Sequence, residues 1–168
     1  MTANAPAPFL SLATGLYVIS FIYGAIQHLR TFAYRQNLIS TLRLACKVIC
    51  VGNISVGGTG KTPMTMLVAR TAKQLGYLPV VVSRGYRGDA EQQGGIVSDG
   101  RSIRLGPRLA GDEPFMMARS LRGIPVIVGK NRYAAGMLAV TEFHSNVIVL
   151  DDGFQHLTLQ RDLDLVLL

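Results

Sequence analysis

A cluster of glycine, lysine and threonine residues interrupts the sequence between an apolar run and a helix-like segment. The cluster reads Gly-Gly-Thr-Gly-Lys-Thr over residues 57–62, and the apolar run before it spans residues 47–51. Glycines let the backbone bring its N–H groups against phosphate oxygens, and the start of a helix adds the positive end of its dipole. Lys61 supplies a mobile cation for the terminal phosphates, and the hydroxyl of Thr62 is a ligand for Mg²⁺. The spacing therefore predicts a phosphate-binding loop.

One position of this loop departs from the usual pattern. Ser55 stands where the general motif has its first glycine. A glycine-rich turn that carries an incidental Lys-Thr pair is the alternative interpretation, but the strand before the loop and the helix after it favour phosphate binding. The predicted nucleotide contacts come from consecutive residues, namely Ser55, Val56, Gly57, Gly58, Thr59, Gly60, Lys61 and Thr62.

A second group of polar side chains follows the apolar run 147–150. Asp151 and Asp152 come directly after this run, and Gln155 and His156 follow within a few residues. In nucleotide-binding sheets, a carboxylate at a strand end opposite the phosphate loop holds Mg²⁺, directly or through water. An Asp-Gly turn followed by a structural histidine is the alternative. The presence of the phosphate loop elsewhere in the chain favours the functional interpretation.

Two further loops carry charged side chains. Arg84 and Arg87 follow a buried apolar run, and the carboxyl ends of strands are where ligands bind in open α/β sheets. Phosphate binding and simple solvent exposure explain these arginines equally well.

Asp112 and Glu113 follow a glycine at the start of a short helix. Their spacing alone indicates N-capping and compensation of the helix dipole.

Apolar runs alternate with helical patterns from residue 47 onward. This alternation predicts an α/β fold, a P-loop NTPase-like parallel sheet flanked by helices and joined by right-handed crossovers. Asp99-Gly100 indicates a hairpin, so a small antiparallel excursion is expected at residues 96–104. The first helix after the loop has a face marked by Met64, Leu67, Val68, Thr71 and Leu75. The expected strands are 47–51, 78–82, 125–128, 147–150 and 163–168. Three helices are expected: one begins near Lys61, and the other two span 115–121 and 131–143.

The amino-terminal segment is apolar and uncharged. Residues 1–29 contain no Lys, Arg, Asp or Glu. As a helix, residues 9–26 would be about 27 Å long, close to the ~30 Å hydrocarbon core of a bilayer. We therefore expect residues 1–44 to form a membrane-associated helical segment, either spanning or lying in the interface, and residues 45–168 to form the nucleotide-binding domain. A buried core helix is the alternative. Basic residues after the apolar run predict that the rest of the chain is cytoplasmic.

The composition limits the classes of partner. The chain has 168 residues, a net charge of +7 and a positive mean hydropathy, which favour contact with anionic lipid or an acidic substrate. Nucleic acid binding is the competing interpretation, but the basic residues are spread along the chain without a basic-aromatic cluster. Cys46 and Cys50 have the spacing of no common metal motif. They are predicted to be reduced core residues of a cytosolic domain.

Five stretches of the sequence together resemble one protein family, the tetraacyldisaccharide 4'-kinases (lipid A 4'-kinases) of Gram-negative bacteria. The stretches occur in that family's order and cover most of the chain from residue 47 onward, and a serine at position 55 is itself the family's form. They are VGNISVGGTGKTP (51–63), SRGYRG (83–88), GDEP (111–114), VIVGKNR (126–132) and LDDGFQHLTLQRD (150–162).

The resemblance implies ATP-dependent phosphorylation of the 4'-hydroxyl of a tetraacyldisaccharide 1-phosphate at the cytoplasmic face of the inner membrane. ATP and Mg²⁺ are the implied cofactors. The implied partners are the lipid A precursor and the lipids of the inner membrane, with no nucleic acid.

The resemblance also implies roles for individual residues. Asp112 would help to take the proton from the sugar hydroxyl, which replaces the capping interpretation on family grounds alone. Gln155 and His156 would lie beside the nucleotide. The implied catalytic residues are Asp112, Lys61, Asp152 and His156, and the implied metal site consists of Thr62, Asp151 and Asp152.

Members of this family are longer than this chain and carry a second, carboxy-terminal part that closes over the site. The chain is therefore expected to be a fragment or a truncated form. A non-catalytic nucleotide-binding module at the membrane is the main alternative to the kinase. A soluble metabolic kinase is a further alternative, and the uncharged amino-terminal run argues against it.

Overall fold

Continuous apolar runs form the central strands of a parallel sheet, as a computed structural model of the chain shows. The structure describes residues 12–35, 39–53, 60–154 and 156–167. Contacts divide the chain into two compact units, Met1–Ser40 and Thr41–Leu168. The elements in chain order are α1 (Leu12–Arg35), β1 (Lys47–Asn53), α2 (Lys61–Gln74), β2 (Pro79–Ser83), β3 (Gly95–Ser98), α3 (Pro107–Ala110), α4 (Asp112–Ser120), β4 (Val126–Val128), α5 (Arg132–Phe143), β5 (Val147–Asp151) and β6 (Leu163–Leu167).

The six strands form one sheet in the order β3-β4-β2-β5-β1-β6. Every neighbouring pair is parallel except β3 and β4, which are antiparallel. The prediction of a mostly parallel sheet flanked by helices is therefore confirmed. β5 lies between β1 and β2, so the carboxyl ends of these three strands meet at the centre of one edge of the sheet.

Helices cover both faces of this sheet. Buried side chains of α2 and α4 pack with β-strand residues into one apolar cluster, and buried side chains of α5 pack into a second cluster on other residues of the strands. Strands β2, β4 and β5 are buried along their whole length, which explains their continuous apolar sequences.

Three local features differ from the sequence-based expectation. The predicted hairpin keeps β3, but its second arm is reduced to a single antiparallel bridge between Ser98 and Ile103. The short helix α3 was not predicted. The buried residues of α2 are Thr65, Ala69 and Ala72, whereas Leu67 and Leu75 of the predicted face are exposed. Small residues form the contact because they let the helix approach the sheet closely.

The described part of the amino-terminal unit is the helix α1 with residues 39–40. Large apolar and aromatic side chains are exposed along α1, among them Leu16, Tyr17, Phe21 and Phe32. Within the ranges that the structure describes, no helix combines the length and the hydropathy needed to cross a membrane.

Candidate active site

The first part of the site is the junction between β1 and α2. Gly60 precedes the helix in the left-handed conformation with φ of 75°, where a side chain would be strained. Lys61 is the first residue of α2, and its Nζ donates to Oδ1 of Asn53 at 2.8 Å. Thr62 follows in the same helical turn and is partly exposed. The sequence correctly placed the strand, the lysine and the start of the helix.

The remaining loop residues lie outside the described ranges. These are Ser55, Val56, Gly57, Gly58 and Thr59, together with Gln155 of the second motif. Their contacts to a nucleotide therefore stay predictions.

The second part of the site is Asp151, the last residue of β5. Its side chain is buried, with the residue only 3% exposed, and it accepts hydrogen bonds on both carboxylate oxygens. The hydroxyl of Thr65 donates to Oδ1 at 3.0 Å, and the hydroxyl of Ser83 donates to Oδ2 at 3.1 Å. Burial raises the pKa of the Asp151 carboxyl, and the two hydroxyl bonds partly offset that rise. The carboxylate is thus held in one orientation by α2 and β2.

In contrast to the buried Asp151, Asp152 has a side chain that is largely exposed to solvent. Its side chain is 64% exposed, and its Oδ1 lies 3.9 Å from Nζ of Lys61. Its backbone adopts the left-handed region with φ of 52°, which is uncommon for residues other than glycine and often marks functional sites. A backbone hydrogen bond from Asp152 N–H to the carbonyl of Val51 ties this turn to the strand that leads into the phosphate loop. The two adjacent carboxylates are therefore not equivalent.

The turn after Asp152 packs closely on β1. A Cβ added to Gly52 would lie 2.7 Å from ring atoms of Phe154, so the aromatic ring occupies the space that a side chain would need. His156 follows and is partly buried. Its backbone N–H donates to the carbonyl of Gly153 at 3.0 Å. The structure thus keeps the second motif against the strand that carries the phosphate loop.

The third part of the site is the start of α4. The N-cap of this helix is Gly111, with φ of 87°, and no side chain caps the helix. The capping interpretation of Asp112 and Glu113 is therefore wrong, although both carboxylates lie in the first turn, where they offset the helix dipole. A Cβ at Gly111 would meet the carbonyl oxygen of Tyr86 at 2.9 Å. Glycine thus allows α4 to start directly beside the loop after β2.

That loop carries the arginines seen in the sequence. Arg84 donates from Nε to Oε1 of Glu91 at 2.7 Å, and this contact lowers the pKa of the Glu91 carboxyl. The guanidinium of Arg84 also lies 5.8 Å from the ring centre of Tyr86. Arg87 contacts the same ring at 5.3 Å. Both cations are therefore placed by one aromatic side chain.

The end of β5, the loop after β2 and the start of α4 enclose a cleft of about 260 Å³ at the carboxyl ends of β2 and β5. Larger hollows exist, but one of about 380 Å³ lies at the amino ends of strands, away from the edge where ligands bind in such sheets. Asp112 is exposed at the start of α4 and is not among the cleft residues, whereas its neighbour Glu113 is. The described residues that line the cleft are Ser83, Arg84, Tyr86, Glu113, Asp151 and Asp152.

One buried cation near this cleft was not anticipated. Arg132, the first residue of α5, is 2% exposed and donates from Nη1 to the carbonyl of Gly129. Its Nε has no hydrogen-bond partner among the described residues. Burial lowers the pKa of Arg132 to about 10, and the nearby negative charge of Asp151 opposes this change. Arg132 therefore provides positive charge inside the protein, behind the carboxylates.

Four residues of the site carry little functional signal in the sequence. Ser83 and Arg132 fall inside the stretches SRGYRG and VIVGKNR, and motif membership was their one indication; Glu113 was predicted only as a capping residue beside Asp112. Thr65 lies one helical turn after Thr62, so both lie on the same side of the helix. This spacing could have suggested a place for Thr65 in the site.

The donor set fits a Mg²⁺ ion that is shared with phosphate. Such ions are usually held by one or two carboxylates together with water and substrate phosphates. Asp152 offers an exposed carboxylate and Thr62 a hydroxyl at the start of α2, whereas both oxygens of Asp151 already accept hydroxyl bonds. Among the described residues, no group of three His, Cys, Asp or Glu side chains is arranged to hold a metal ion.

The two cysteines lie outside this chemistry. Both are free thiols, as predicted; Cys50 is fully buried and Cys46 partly so. Burial raises the pKa of Cys50 to about 12, so it remains a protonated core residue at neutral pH.

Known proteins match this chain over most of its length. The sequence model of the family described as tetraacyldisaccharide-1-P 4'-kinase (LpxK) matches residues 12–168. The tetraacyldisaccharide 4'-kinase of Syntrophus aciditrophicus is 48% identical over 96% of this chain and 42% of its own length. That of Geobacter sulfurreducens is 45% identical over 94% of this chain and 44% of its own length.

A solved structure agrees with these relatives. The crystal structure of the "apo" form of LpxK from Aquifex aeolicus in complex with ATP aligns with a TM-score of 0.84 at 37% identity, covering 94% of this chain and 49% of that one. The chain thus spans less than half the length of the curated relatives it matches. Over the residues it does contain, sequence and fold agree that this chain belongs to the tetraacyldisaccharide 4'-kinase family.

Proposed function

We propose that this chain binds ATP with Mg²⁺ and transfers the γ-phosphate to the 4'-hydroxyl of a tetraacyldisaccharide 1-phosphate, a precursor of lipid A. The observation that carries the proposal is the meeting of two motifs distant in sequence. Lys61, which follows the phosphate loop, lies 3.9 Å from Asp152 at the end of β5. The related crystal structure is a complex with ATP, and the curated relatives are named as kinases of this lipid; both facts support the same reaction.

Each residue has a role that its position supports. The backbone N–H groups at the start of α2 and the ammonium of Lys61 bind the phosphates. Thr62 and Asp152 would hold Mg²⁺, which neutralises phosphate charge when it is bound. Asp151 keeps the turn in place through its hydroxyl contacts to α2 and β2. His156 lies in the same loop, next to the predicted nucleotide contact Gln155.

Asp112 accepts the proton of the sugar hydroxyl in this proposal. The transition state of phosphoryl transfer is loose, so positioning and charge neutralisation supply most of the acceleration and a modest base suffices. Asp112 is exposed at the start of α4, beside the cleft residue Glu113. The two carboxylates lie in the first turn of α4, at the edge of the cleft.

A transfer assay tests the proposal directly. Membranes that contain the chain are incubated with ³²P-labelled ATP and tetraacyldisaccharide 1-phosphate, and membranes without the chain serve as the control. We expect label on the 4'-hydroxyl only when the chain is present. Bound ATP without any transfer would contradict the kinase.

The second candidate function is a nucleotide-binding module without catalytic activity. The observation in its favour is that the chain spans only 42% and 44% of the two curated relatives described above. In that case the chain would bind Mg²⁺ and ATP with the same residues but would leave the lipid unchanged. The transfer assay separates these two candidates.

The membrane is the proposed location because α1 exposes apolar and aromatic side chains. We expect the chain to sediment with vesicles that contain anionic phospholipid. Tyr17 and Phe21 lie one helical turn apart, and replacing both by Asp should abolish sedimentation because charged side chains resist burial in lipid. The matched control replaces Met137 and Thr141, an exposed pair on α5, by Asp and should leave binding unchanged. Equal binding of both variants would contradict a role for α1.

Thr65→Val tests the role of the hydroxyl contacts to Asp151. The substitution keeps the side-chain volume but removes one of the two hydrogen bonds to a buried carboxylate. We expect the Mg²⁺ concentration needed for half-maximal ATP binding to rise about tenfold, since a hydrogen bond to a charged group contributes about 1.5–3 kcal/mol. Thr65→Ser retains the hydroxyl and should behave like the original chain. Identical Mg²⁺ requirements for both variants would contradict this role.

A further inference from the structure

We propose that Arg84 is a further catalytic residue, whose guanidinium contacts the γ-phosphate of bound ATP from the acceptor side. This inference rests on the proposed function, because it requires that the cleft binds a nucleoside triphosphate. Neither the phosphate-loop motif nor the paired aspartates identify this residue.

The order of the strands places Arg84 beyond β5 from β1, the strand that leads into the phosphate loop. The loop follows β1, the paired aspartates end β5, and Arg84 follows β2 on the far side of β5. Neighbouring strands are about 4.8 Å apart, so the ends of β1 and β2 are separated by roughly 10 Å. A phosphate chain that starts at α2 and crosses the end of β5 therefore points its terminal phosphate toward β2.

The cleft is rich in carboxylates, so a bound terminal phosphate is stabilised by cations around it. Three of its described lining residues are carboxylates, namely Glu113, Asp151 and Asp152, and Arg84 is the basic residue among the six. A terminal phosphate bound against three carboxylates alone would be repelled. Lys61 offsets negative charge on the loop side, and Arg84 offsets it on the acceptor side. In phosphoryl transfer, arginines in such positions stabilise the charge that spreads over the equatorial oxygens.

The surroundings of Arg84 hold it in place and leave it accessible. Its side chain is 44% exposed, so a ligand in the cleft can reach it. Glu91 accepts a hydrogen bond from Nε–H, which uses one of the five donors of the guanidinium. Contact with the ring of Tyr86 restrains the same group from a second direction. An arginine that is already oriented loses less entropy when it binds phosphate.

Comparison of ATP with ADP tests this inference, because only ATP has a γ-phosphate. Affinities of the chain for both nucleotides are measured by calorimetry in the presence of Mg²⁺, for the original chain, Arg84→Gln and Arg87→Gln. Arg87 is the matched control, since it contacts the same Tyr86 ring without lining the cleft. We expect Arg84→Gln to weaken ATP binding about tenfold, with ADP binding changed less than about twofold. Arg87→Gln should change neither affinity.

The ratio of the two affinities is the decisive quantity. An unfolded fraction lowers the apparent binding of ATP and ADP alike, so the ratio stays informative even if a variant is less stable. An unchanged ratio in Arg84→Gln, with normal binding by the original chain, would overturn the role of Arg84 alone. Failure of the original chain to bind either nucleotide would instead overturn the proposed function. Arg84→Lys, which keeps the charge, should restore part of the preference for ATP.

Discussion

Asp112→Asn is expected to reduce phosphate transfer to the lipid by about 10²- to 10⁴-fold, the usual contribution of a general base. The amide has nearly the same shape as the carboxylate but cannot accept the proton of the sugar hydroxyl. ATP affinity should be unchanged, because Asp112 is exposed at the start of α4 and is not among the described residues that line the cleft. The measurement combines the rate of ³²P transfer with the affinity for ATP.

Two further variants make this prediction specific. Asp89→Asn removes a carboxylate that lies in an exposed ion pair with Arg108, and it should leave transfer unchanged. Glu113→Gln tests the neighbouring carboxylate, which lines the cleft whereas Asp112 does not. Loss of transfer in Glu113→Gln, with activity retained in Asp112→Asn, would assign the base to Glu113 and refute the role proposed for Asp112.

Lys61→Ala is expected to weaken ATP binding by about 100-fold, which corresponds to about 2.7 kcal/mol. This magnitude agrees with the contribution of a hydrogen bond between charged groups. The ammonium of Lys61 is restrained by Asn53 and lies beside Asp152, so its removal leaves negative charge where the phosphates bind. Fluorescence titration with an ATP analogue provides the measurement.

Lys73→Ala is the matched control for this experiment. Lys73 lies near the other end of the same helix, and its Nζ donates to the backbone carbonyl of Arg122 at 3.1 Å. Its removal should not change nucleotide affinity. If Lys61→Ala and Lys73→Ala had the same affinity, the phosphate-loop assignment would be wrong.

The strands were predictable because their sequence pattern depends on local burial. Uninterrupted apolar runs such as 78–82 and 147–150 are stable only between two covered faces, and both became inner strands of the sheet. The order of the strands was not predictable, because it depends on contacts between distant segments. The buried face of α2 was predicted only in part: Met64 and Val68 pack against the core, but Ala69 and Ala72 are the apolar residues buried in it.

The residues of the site could be predicted from the sequence only where they belong to motifs of adjacent residues. Lys61 and Asp152 belong to recognisable motifs, and the structure brings them within 3.9 Å. Thr65 and Ser83 each look like ordinary polar residues, and their shared contact with a buried carboxylate arises only when three elements meet. The sequence gives no sign that Arg132 is buried, because burial of an arginine depends on its surroundings rather than on its own type.

The contact between Gly52 and Phe154 predicts a pattern of substitution among related sequences. Because a Cβ at position 52 would lie 2.7 Å from the aromatic ring, the two positions cannot enlarge independently. A relative with alanine at the first position should carry a smaller side chain at the second, so the two columns of a family alignment should vary together. One packing contact would then constrain the evolution of the two motifs that it joins.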